Sequence, residues 1–581
     1  MMLSSLTLLI IGMPWLGAMV VFFAGDRRPR LLHIMSVVFA VLSGIITLIV
    51  LPHATSSAVV RIPMGGGFGD FTLVPDGLGI SISAIATLVG SAAVIFAMDY
   101  MRDGHQLARF YSLVLFFIGA MAGLALSGSL LFTFIFWEIT AICSYVLISF
   151  HNDDPHAVAG GIKALIMTQI GGIGLLAGAL LVYGYLGSFQ IDVLLSQYQS
   201  LPHGILGLLA FGFLVAAAAK SAQVPFHSWL PDAMEAPTPV TALIHAATMV
   251  NAGVYLLARF SPAFASVPGW SLAVMIVGAA SALLAGLMAL GADDIKRVLA
   301  YSTISQLGYM FYAVGSGGVF ASQLHLLSHA LFKALLFLSA GAVITAVGTR
   351  DMARMGGLGR RMPFVQTMFI IGSLGLVGLP IVNGFFSKEL ILESGLSHGP
   401  FWLYLLMLFG VGVTALYTIR LWHRVFMGEP HGSLPAHDGE PAMRVSLILL
   451  AFGTLTSWLL AGSLNELLGR TLPFHHLEAE TTLTIVQRVA SSASTWVALG
   501  VIALGFGIWF LRDRFSQVAR TLKPVLVSGF GFDELNQGIV RVTDKAAELL
   551  QVTQTGQLNW NVIGILMGLC LVLLILSGGV R

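Results

Sequence analysis

The run HLLSHALFKALLFL places His325, His329 and Lys333 at positions i, i+4 and i+8. On a helix, four-residue steps rotate by only about 40°, so the three side chains share one face, with Ser328 beside them. Imidazole titrates near neutrality, so such a stack can pass protons along the helix. A metal held by the two histidines is the competing reading, but no carboxylate or cysteine accompanies them locally. A further histidine, His245, stands alone in PTPVTALIHAATMVNAGVYLL, where a hydrogen-bonded packing role competes with a titrating one.

Other ionisable groups lie in equally apolar surroundings. Glu138 sits in FTFIFWEITAICSYVLIS with no charged residue within ten positions, and Lys163 opens the apolar stretch that follows. Lys220 precedes Pro225 by five residues, and Lys388 follows Pro380 by eight. A charge at the centre of a bilayer costs about 3 kcal/mol or more unless it is paired or hydrated. Such groups are therefore either structural ion pairs or members of a proton path. Desolvation favours the neutral form of a lysine and a nearby carboxylate favours the charged form, so moving that partner would switch the lysine between holding and releasing a proton. The prolines break their helices and free carbonyls near both lysines. Broken helices at matching places in two halves of a chain are a hallmark of ion sites in repeat-built transporters. Here the halves are 110–260 and 270–425. His105, His151, His156, His227, Asp232 and Glu235 fall near helix ends or loops and read as solvated or pathway-mouth groups. Asp293, Asp294, Lys296 and Arg297 read as surface charge.

The elements carrying these groups must cross a membrane. Only 10% of the 581 residues are charged, against 57% hydrophobic, and mean hydropathy is +0.89. Spans of about 20 apolar residues are the appropriate unit. Sixteen such segments are expected, at about 3–24, 31–52, 78–99, 110–127, 129–150, 157–186, 205–224, 240–260, 270–291, 296–316, 320–347, 364–395, 401–425, 443–464, 494–511 and 560–578. The first lacks a basic flank and is too long for a signal peptide, so it reads as a retained helix. The stretch 59–75 alternates around a glycine cluster and reads as a β-hairpin. Of 29 Lys and Arg, 20 fall in loops after odd-numbered segments; only Arg61, Arg259, Arg470 and Arg488 are assigned to loops after even-numbered ones. That asymmetry puts the odd loops in the cytoplasm and both termini outside. Within 512–559, Leu535, Ile539, Val542, Ala546 and Leu549 recur at helical spacing, with Asp533, Glu534, Asp544, Lys545 and Glu548 on other faces. This is an amphipathic helix lying on the membrane surface or against a partner.

Several functions are excluded or disfavoured. A net charge of +2 gives no basis for a nucleic-acid partner. Cys143 and Cys570 are too few and too far apart for a metal or disulfide framework and read as packing residues. No phosphate-binding glycine loop or CxxC pair is present, so no cofactor is expected in this chain, and any redox chemistry would belong to partner subunits.

At this point longer motifs matter. The run AKSAQVPFHSWLPDAMEAPTPVTALIHAATMVNAGVYLLAR, together with FWEITAICSY, HALFKALLFL and GFFSKE, resembles the antiporter-like proton-translocating membrane subunits. These include the large antiporter-like subunit of complex I, the large A-type component of Mrp-type cation/proton antiporters, and relatives in membrane-bound hydrogenases. The similarity runs from about residue 75 to 425. It implies that Glu138 is the fifth-helix glutamate partnered with the broken-helix lysine Lys220, and that Lys163 is the sixth-helix lysine. His245 would be the eighth-helix histidine, His325, His329 and Lys333 the central relay, and Lys388 the terminal twelfth-helix residue. FGFDELNQGIV and TGQLNWNVIGILMG resemble the end of the large complex I subunit, where a lateral helix joins the last two spans. Here about 48 residues separate those spans, at most roughly 70 Å of helix. TQIGG stands where complex I members typically carry TRVGD, which leans toward Mrp-like or hydrogenase-like relatives.

The expectation is an all-α polytopic membrane protein with about 16 transmembrane helices. Residues 1–109 would hold N-terminal helices and the hairpin, 110–260 and 270–425 two inverted five-helix repeats with broken helices, and 443–511 peripheral helices. Residues 512–559 would form the lateral helix and 560–581 the last span. The expected function is proton translocation, with Na⁺ as the candidate exchanged ion, as one subunit of a hetero-oligomeric complex in a bacterial-type inner membrane. Its partners would be other membrane subunits and lipid. A place in an NADH–quinone oxidoreductase-type translocase is one option. The alternative is a coupling subunit that energises a partner such as an inorganic-carbon uptake protein. A solitary solute transporter would have no use for the surface helix.

Overall fold

The computed structural model describes residues 2–65, 69–429, 437–514, 516–551 and 567. Thirteen helical stretches in it are long and apolar enough to cross a membrane. In chain order the main helices are α1 (Met2–Ala24), α2 (Pro29–Val50), α3 (Gly77–Tyr100), α4 (Leu107–Leu126), α5 (Leu130–Ile148), α6 (Pro155–Leu186) and α7 (His203–Lys220). They continue with α8 (Thr238–Phe264), α9 (Trp270–Gly291), α10 (Ile295–Gly315), α11 (Val319–Val347), α12 (Pro363–Val377) and α13 (Asn383–His398). Last come α14 (Phe401–Phe426), α15 (Pro441–Thr471, tightened at Ser457–Leu460), α16 (Ala493–Phe510) and α17 (Phe532–Gln551). Helix is what a bilayer demands, because it satisfies every backbone group within the segment.

The sixteen expected spans map onto these helices as follows. The thirteen apolar stretches each fall on an expected segment. The segment 296–316 is α10, whose 21 residues include Lys296 and Arg297. The segment 364–395 is the pair α12 and α13, interrupted as its proline suggests. The segment 560–578, with Cys570, lies outside the described residues. The expected hairpin is present, with β1 (Val60–Pro63) antiparallel to β2 (Asp70–Leu73).

Burial sorts the helices. α8 is buried along its whole apolar window, whereas α1 and α2 are only 39% and 33% buried, so α8 forms the centre and α1–α2 face lipid. Apolarity alone cannot encode this difference, because lipid is as apolar as leucine. Small and hydroxyl side chains do encode it. On α3, the buried Ser83, Thr87 and Ser91 each return their hydroxyl to the carbonyl four residues earlier, which lets neighbours approach without an unsatisfied polar group. Glycine serves the same purpose where the halves of the broken helix meet. A Cβ on Gly384 of α13 would lie 1.9 Å from the Gly375 carbonyl oxygen of α12.

One residue expected in a loop is in fact core. Arg259, at the end of the expected segment 240–260, is counted there with the loop that follows, but α8 runs on to Phe264 and buries it. There it pairs with Asp76, which also caps α3 by accepting from Gly79 N at 2.8 Å. The pair is two-pronged, Arg259 Nη2 donating to Asp76 Oδ1 at 2.9 Å and Nη1 to Oδ2. Nearby, His475 lies in the loop after α15 and bonds through Nε2 to the Ala258 carbonyl at 2.8 Å. Burial holds its imidazole below the usual value, so the ring is neutral near pH 7.

Among the described residues, those from Leu522 onward form a separate compact unit. Within it α17 is the expected amphipathic helix, with Leu535, Val540, Val542 and Leu549 exposed. It is not continuous with the preceding helix Ser516–Val527, because Phe530 takes left-handed backbone angles between them.

Breaking one side of a buried ion pair strands the other charge. Arg259→Leu should therefore lose about 3–5 kcal/mol of stability, read as a lowered Tm of the purified chain in detergent. Asp76→Asn, which keeps the α3 cap, should lose less.

Candidate functional site

The broken helices create the site. α7 ends at Lys220 and gives way to short turns at Phe226–Ser228, Trp229–Asp232 and Ala233–Glu235. The carbonyls freed there are taken by side chains. Trp229 Nε1 donates to Ala219 O at 3.0 Å, and Gln223 Nε2 to Ser221 O at 2.9 Å. α8 carries its own irregularity, a wide π turn at Leu243–Ala247, which Asn251 and Thr248 support by donating to Ala246 O and Leu243 O at 2.8 and 2.9 Å. His245 lies in that turn, with Phe337 of α11 at 4.7 Å between ring centroids.

The lysines bond to main-chain carbonyls. Lys220, fully buried, donates to Trp137 O of α5 at 2.8 Å, with its Nζ 4.9 Å from the Trp137 ring centroid. Lys333 donates to Leu299 O at 3.1 Å and to the Ser302 hydroxyl, both on α10. Lys388 donates to Leu376 O and Val377 O at 3.2 and 3.3 Å, the last carbonyls of α12, above the ring of Tyr309. The two lysines on interrupted helices are not placed alike: Lys220 ends the half before its break, whereas Lys388 lies in the half after it.

The α11 stripe forms as its spacing requires, and the structure orders it. His325 bonds Ser387 Oγ through Nδ1 at 2.9 Å and Gln306 Oε1 through Nε2 at 3.1 Å. Ser387 immediately precedes Lys388, so His325 is the member of the stripe that meets the Lys388 helix. With both ring nitrogens engaged, His325 has none left for a metal. His329 and His245 are buried, with no protein partner on either ring nitrogen.

Glu138 does not ion-pair with Lys220. Its Oε2 accepts a hydrogen bond from the Gln169 amide, and Oε1 lies against α6 at Gly172, where a Cβ would come within 2.5 Å of it. Gln169 and Gly172 belong to the run TQIGG, so the departure from TRVGD is what seats this carboxylate. Lys163 pairs instead with Asp232 at 2.7 Å.

Several groups that read as ordinary surface charge are part of the same construction. Asp232 also accepts from Arg297 at 3.1 Å, and Arg350 joins Glu235 to Asp294 at 2.9 and 3.3 Å. Asp293 holds Arg420 at 2.8 Å and Arg424. Lys296 is buried and donates to Ala236 O at 2.8 Å, beneath the turns that follow α7. His227 is buried too, whereas His105, His151 and His156 are exposed as expected. Glu389, beside Lys388, is buried with one carboxylate oxygen unpartnered. Gln306, Ser302 and Ser387 gave no signal in sequence, because a lone polar residue in an apolar helix looks the same whether it packs or bonds an ionisable side chain.

Fold and site together define a multi-pass membrane protein with a row of buried titratable groups threaded through interrupted helices. The chain belongs to the antiporter-like membrane-subunit family described as NADH:quinone oxidoreductase/Mrp antiporter, TM, which matches residues 127–414. It is 36% identical over 543 residues to NADH-quinone oxidoreductase subunit L of Mycobacterium tuberculosis, covering 90% of this chain and 84% of that protein. It is 34% identical over 542 residues to the probable A/B component of a K⁺/H⁺ antiporter of Rhizobium meliloti, covering 88% of this chain and 53% of that protein. A solved structure of the Mrp complex from Dietzia sp. DQ12-45-1b aligns with all of this chain and 63% of its own at 27% identity, with a TM-score of 0.84. The chain thus spans little more than half the length of the K⁺/H⁺ antiporter component it matches.

Because Gly172 leaves room for the carboxylate, Gly172→Ala should displace it. The infrared carboxyl band that Glu138→Gln removes should shift in Gly172→Ala, while stability changes by no more than the overpacking cost of about 1–3 kcal/mol.

Proposed function

We propose that this chain carries protons across the membrane as one subunit of a larger complex, along Glu138, Lys163, Lys220, His245, Lys333, His329, His325 and Lys388. The observation that carries this reading is the lysines' choice of partner. Lys220, Lys333 and Lys388 are desolvated, yet each bonds carbonyl or hydroxyl oxygens instead of a carboxylate. A carboxylate would trap the ammonium as a permanent ion pair. A carbonyl accepts from an ammonium or a neutral amine alike, so the side chain stays anchored when its proton leaves. Arginine could not replace it, because guanidinium does not release its proton.

Water supplies the intervening steps. The ring nitrogens of His245 and His329 and Glu138 Oε1 are buried without protein partners, and buried polar atoms of this kind are satisfied by ordered water. Glu138 bears on Lys220 by field rather than contact, and the Lys163–Asp232–Arg297 bridge ties α6 to α10 at one end of the route.

The placement of Glu138 supports a partner subunit. It lies on the outward stripe of α5 with Ile135 and Ile142, beside Gln169, Ile166, Ile170 and Ile173 of α6, and those isoleucines are exposed. A carboxylate on a bare lipid-facing surface is costly. A neighbouring membrane protein covering the α5–α6 face removes that cost and brings its own charges within reach of Glu138. The relatives in cation/proton antiporters and quinone oxidoreductases are subunits of such assemblies, and Na⁺ or K⁺ exchange or a redox reaction would be supplied by partners. The lysine and arginine distribution favours both termini outside the cytoplasm.

In the assembled complex, Lys220→Ala and Lys333→Ala should each abolish coupled proton movement, measured by a pH-sensitive dye in inverted vesicles, and Lys220→Arg should fail equally. Full activity in an assembled Lys220→Ala complex would overturn the reading.

A further inference from the structure

A groove of about 510 Å³ opens in the wall of the bundle, outside the pathway. Its sides are the end of α2, the first half of α3, the start of α11 and the last turns of α15. Along α3 the lining runs from Leu78 to Leu88, about 15 Å at 1.5 Å per residue. The rim residues Leu48, Leu88 and Leu460 are exposed on helices that cross the membrane, so the groove opens to the bilayer. Whatever fills its length must be apolar.

One end is different. Glu466 and Arg470 line it from α15, one helical turn apart, and both are exposed. Charges spaced i, i+4 on a helix ordinarily pair with each other. Among the described residues neither of these forms an ion pair. Arg470 is instead drawn to the end of α2, where Nη2 donates to Pro52 O at 2.9 Å. The remaining guanidinium donors and the Glu466 carboxylate are left facing the same opening. Deeper in the wall is Gln323 of α11, only 5% exposed, whose Nε2 has no protein partner; the Ser81 hydroxyl is likewise unpartnered.

We propose that this groove binds one acyl chain of an aminophospholipid, with the headgroup phosphate on Arg470, the ammonium on Glu466 and a glycerol-ester carbonyl on the Gln323 amide. Opposite charges one turn apart match a zwitterionic amine headgroup. A headgroup lacking the amine would set its negative charge beside an unbalanced Glu466, and an uncharged isoprenoid ring would leave both charges unmet. Gln323 stands two residues from His325, so the lipid rests on the helix that carries the central relay.

The test places the full chain in nanodiscs containing a phospholipid with a photoreactive group midway along one acyl chain, carrying either an ethanolamine or a glycerol headgroup. Cross-linked peptides are mapped by mass spectrometry. The ethanolamine probe should label 78–88, 323–327 and 460–470 preferentially over the lipid-facing helices α1 and α16. Removing one charge pairing should cost about 1 kcal/mol, an approximately five-fold loss of occupancy. Glu466→Gln should therefore weaken labelling by the ethanolamine probe alone, Arg470→Gln should weaken both probes, and Ile85→Trp should block the groove to both. Glu466 and Arg470 are exposed, so these two variants retain the fold, checked by an unchanged Tm. Uniform labelling of all lipid-facing helices, equal labelling by the glycerol probe that Glu466→Gln leaves unchanged, or a partner-subunit peptide cross-linked in the groove of the native complex would each overturn the proposal.

Discussion

A cation inside an apolar helical bundle must be solvated by the protein itself, and the main-chain carbonyl is the solvent this protein uses. Lys220, Lys296, Lys333 and Lys388 are all buried, and each donates to a backbone carbonyl. The carbonyls come from two kinds of place. Lys388 and Lys296 use carbonyls that the interruptions leave outside a helical ladder, at the end of α12 and in the turns after α7. Lys220 and Lys333 instead use the second lone pair of carbonyls inside uninterrupted helices, Trp137 on α5 and Leu299 on α10.

From this choice of solvent comes a division between cations that meet carboxylates and cations that meet neutral oxygens. Where the protein needs a permanent charge pair, it places carboxylate against guanidinium, as in Asp76–Arg259 or Asp293 with Arg420 and Arg424. The buried Lys220, Lys333 and Lys388 and the histidine His325 have neutral oxygens as partners instead. Lys163 lies between these classes: partly exposed, it pairs with Asp232, which also holds Arg297 and so joins the two halves of the bundle through one carboxylate. Glu138 is anchored by the Gln169 amide and lodged against Gly172 at the edge of the bundle, where an adjoining subunit can reach it.

The spacing in HLLSHALFKALLFL was enough to place His325, His329 and Lys333 on one face, because helix periodicity is local. Charges in apolar runs identified Glu138, Lys163, Lys220 and Lys388 for a similar reason: their cost is set by the bilayer and needs no knowledge of neighbours. The membrane segments and the short hairpin were legible on the same grounds. Misreadings arose where local polarity misled. Lys296 stands among charged residues and reads as surface, yet its ammonium is buried under the turns after α7. Arg259 reads as a loop residue, yet its partner is 183 positions away.

The sequence by itself therefore determined that this is a helical membrane protein, which titratable groups it carries through the bilayer, and which of them share a helix face. Only the tertiary structure decided which oxygen each lysine bonds, that His325 bonds Ser387 on the Lys388 helix, and that TQIGG seats the Glu138 carboxylate. The physical reason is range. Hydropathy and helical period act within a turn or a span, whereas a hydrogen-bond partner from another helix is chosen by packing, and in a bilayer packing depends on small residues and close fit that an apolar pattern does not reveal.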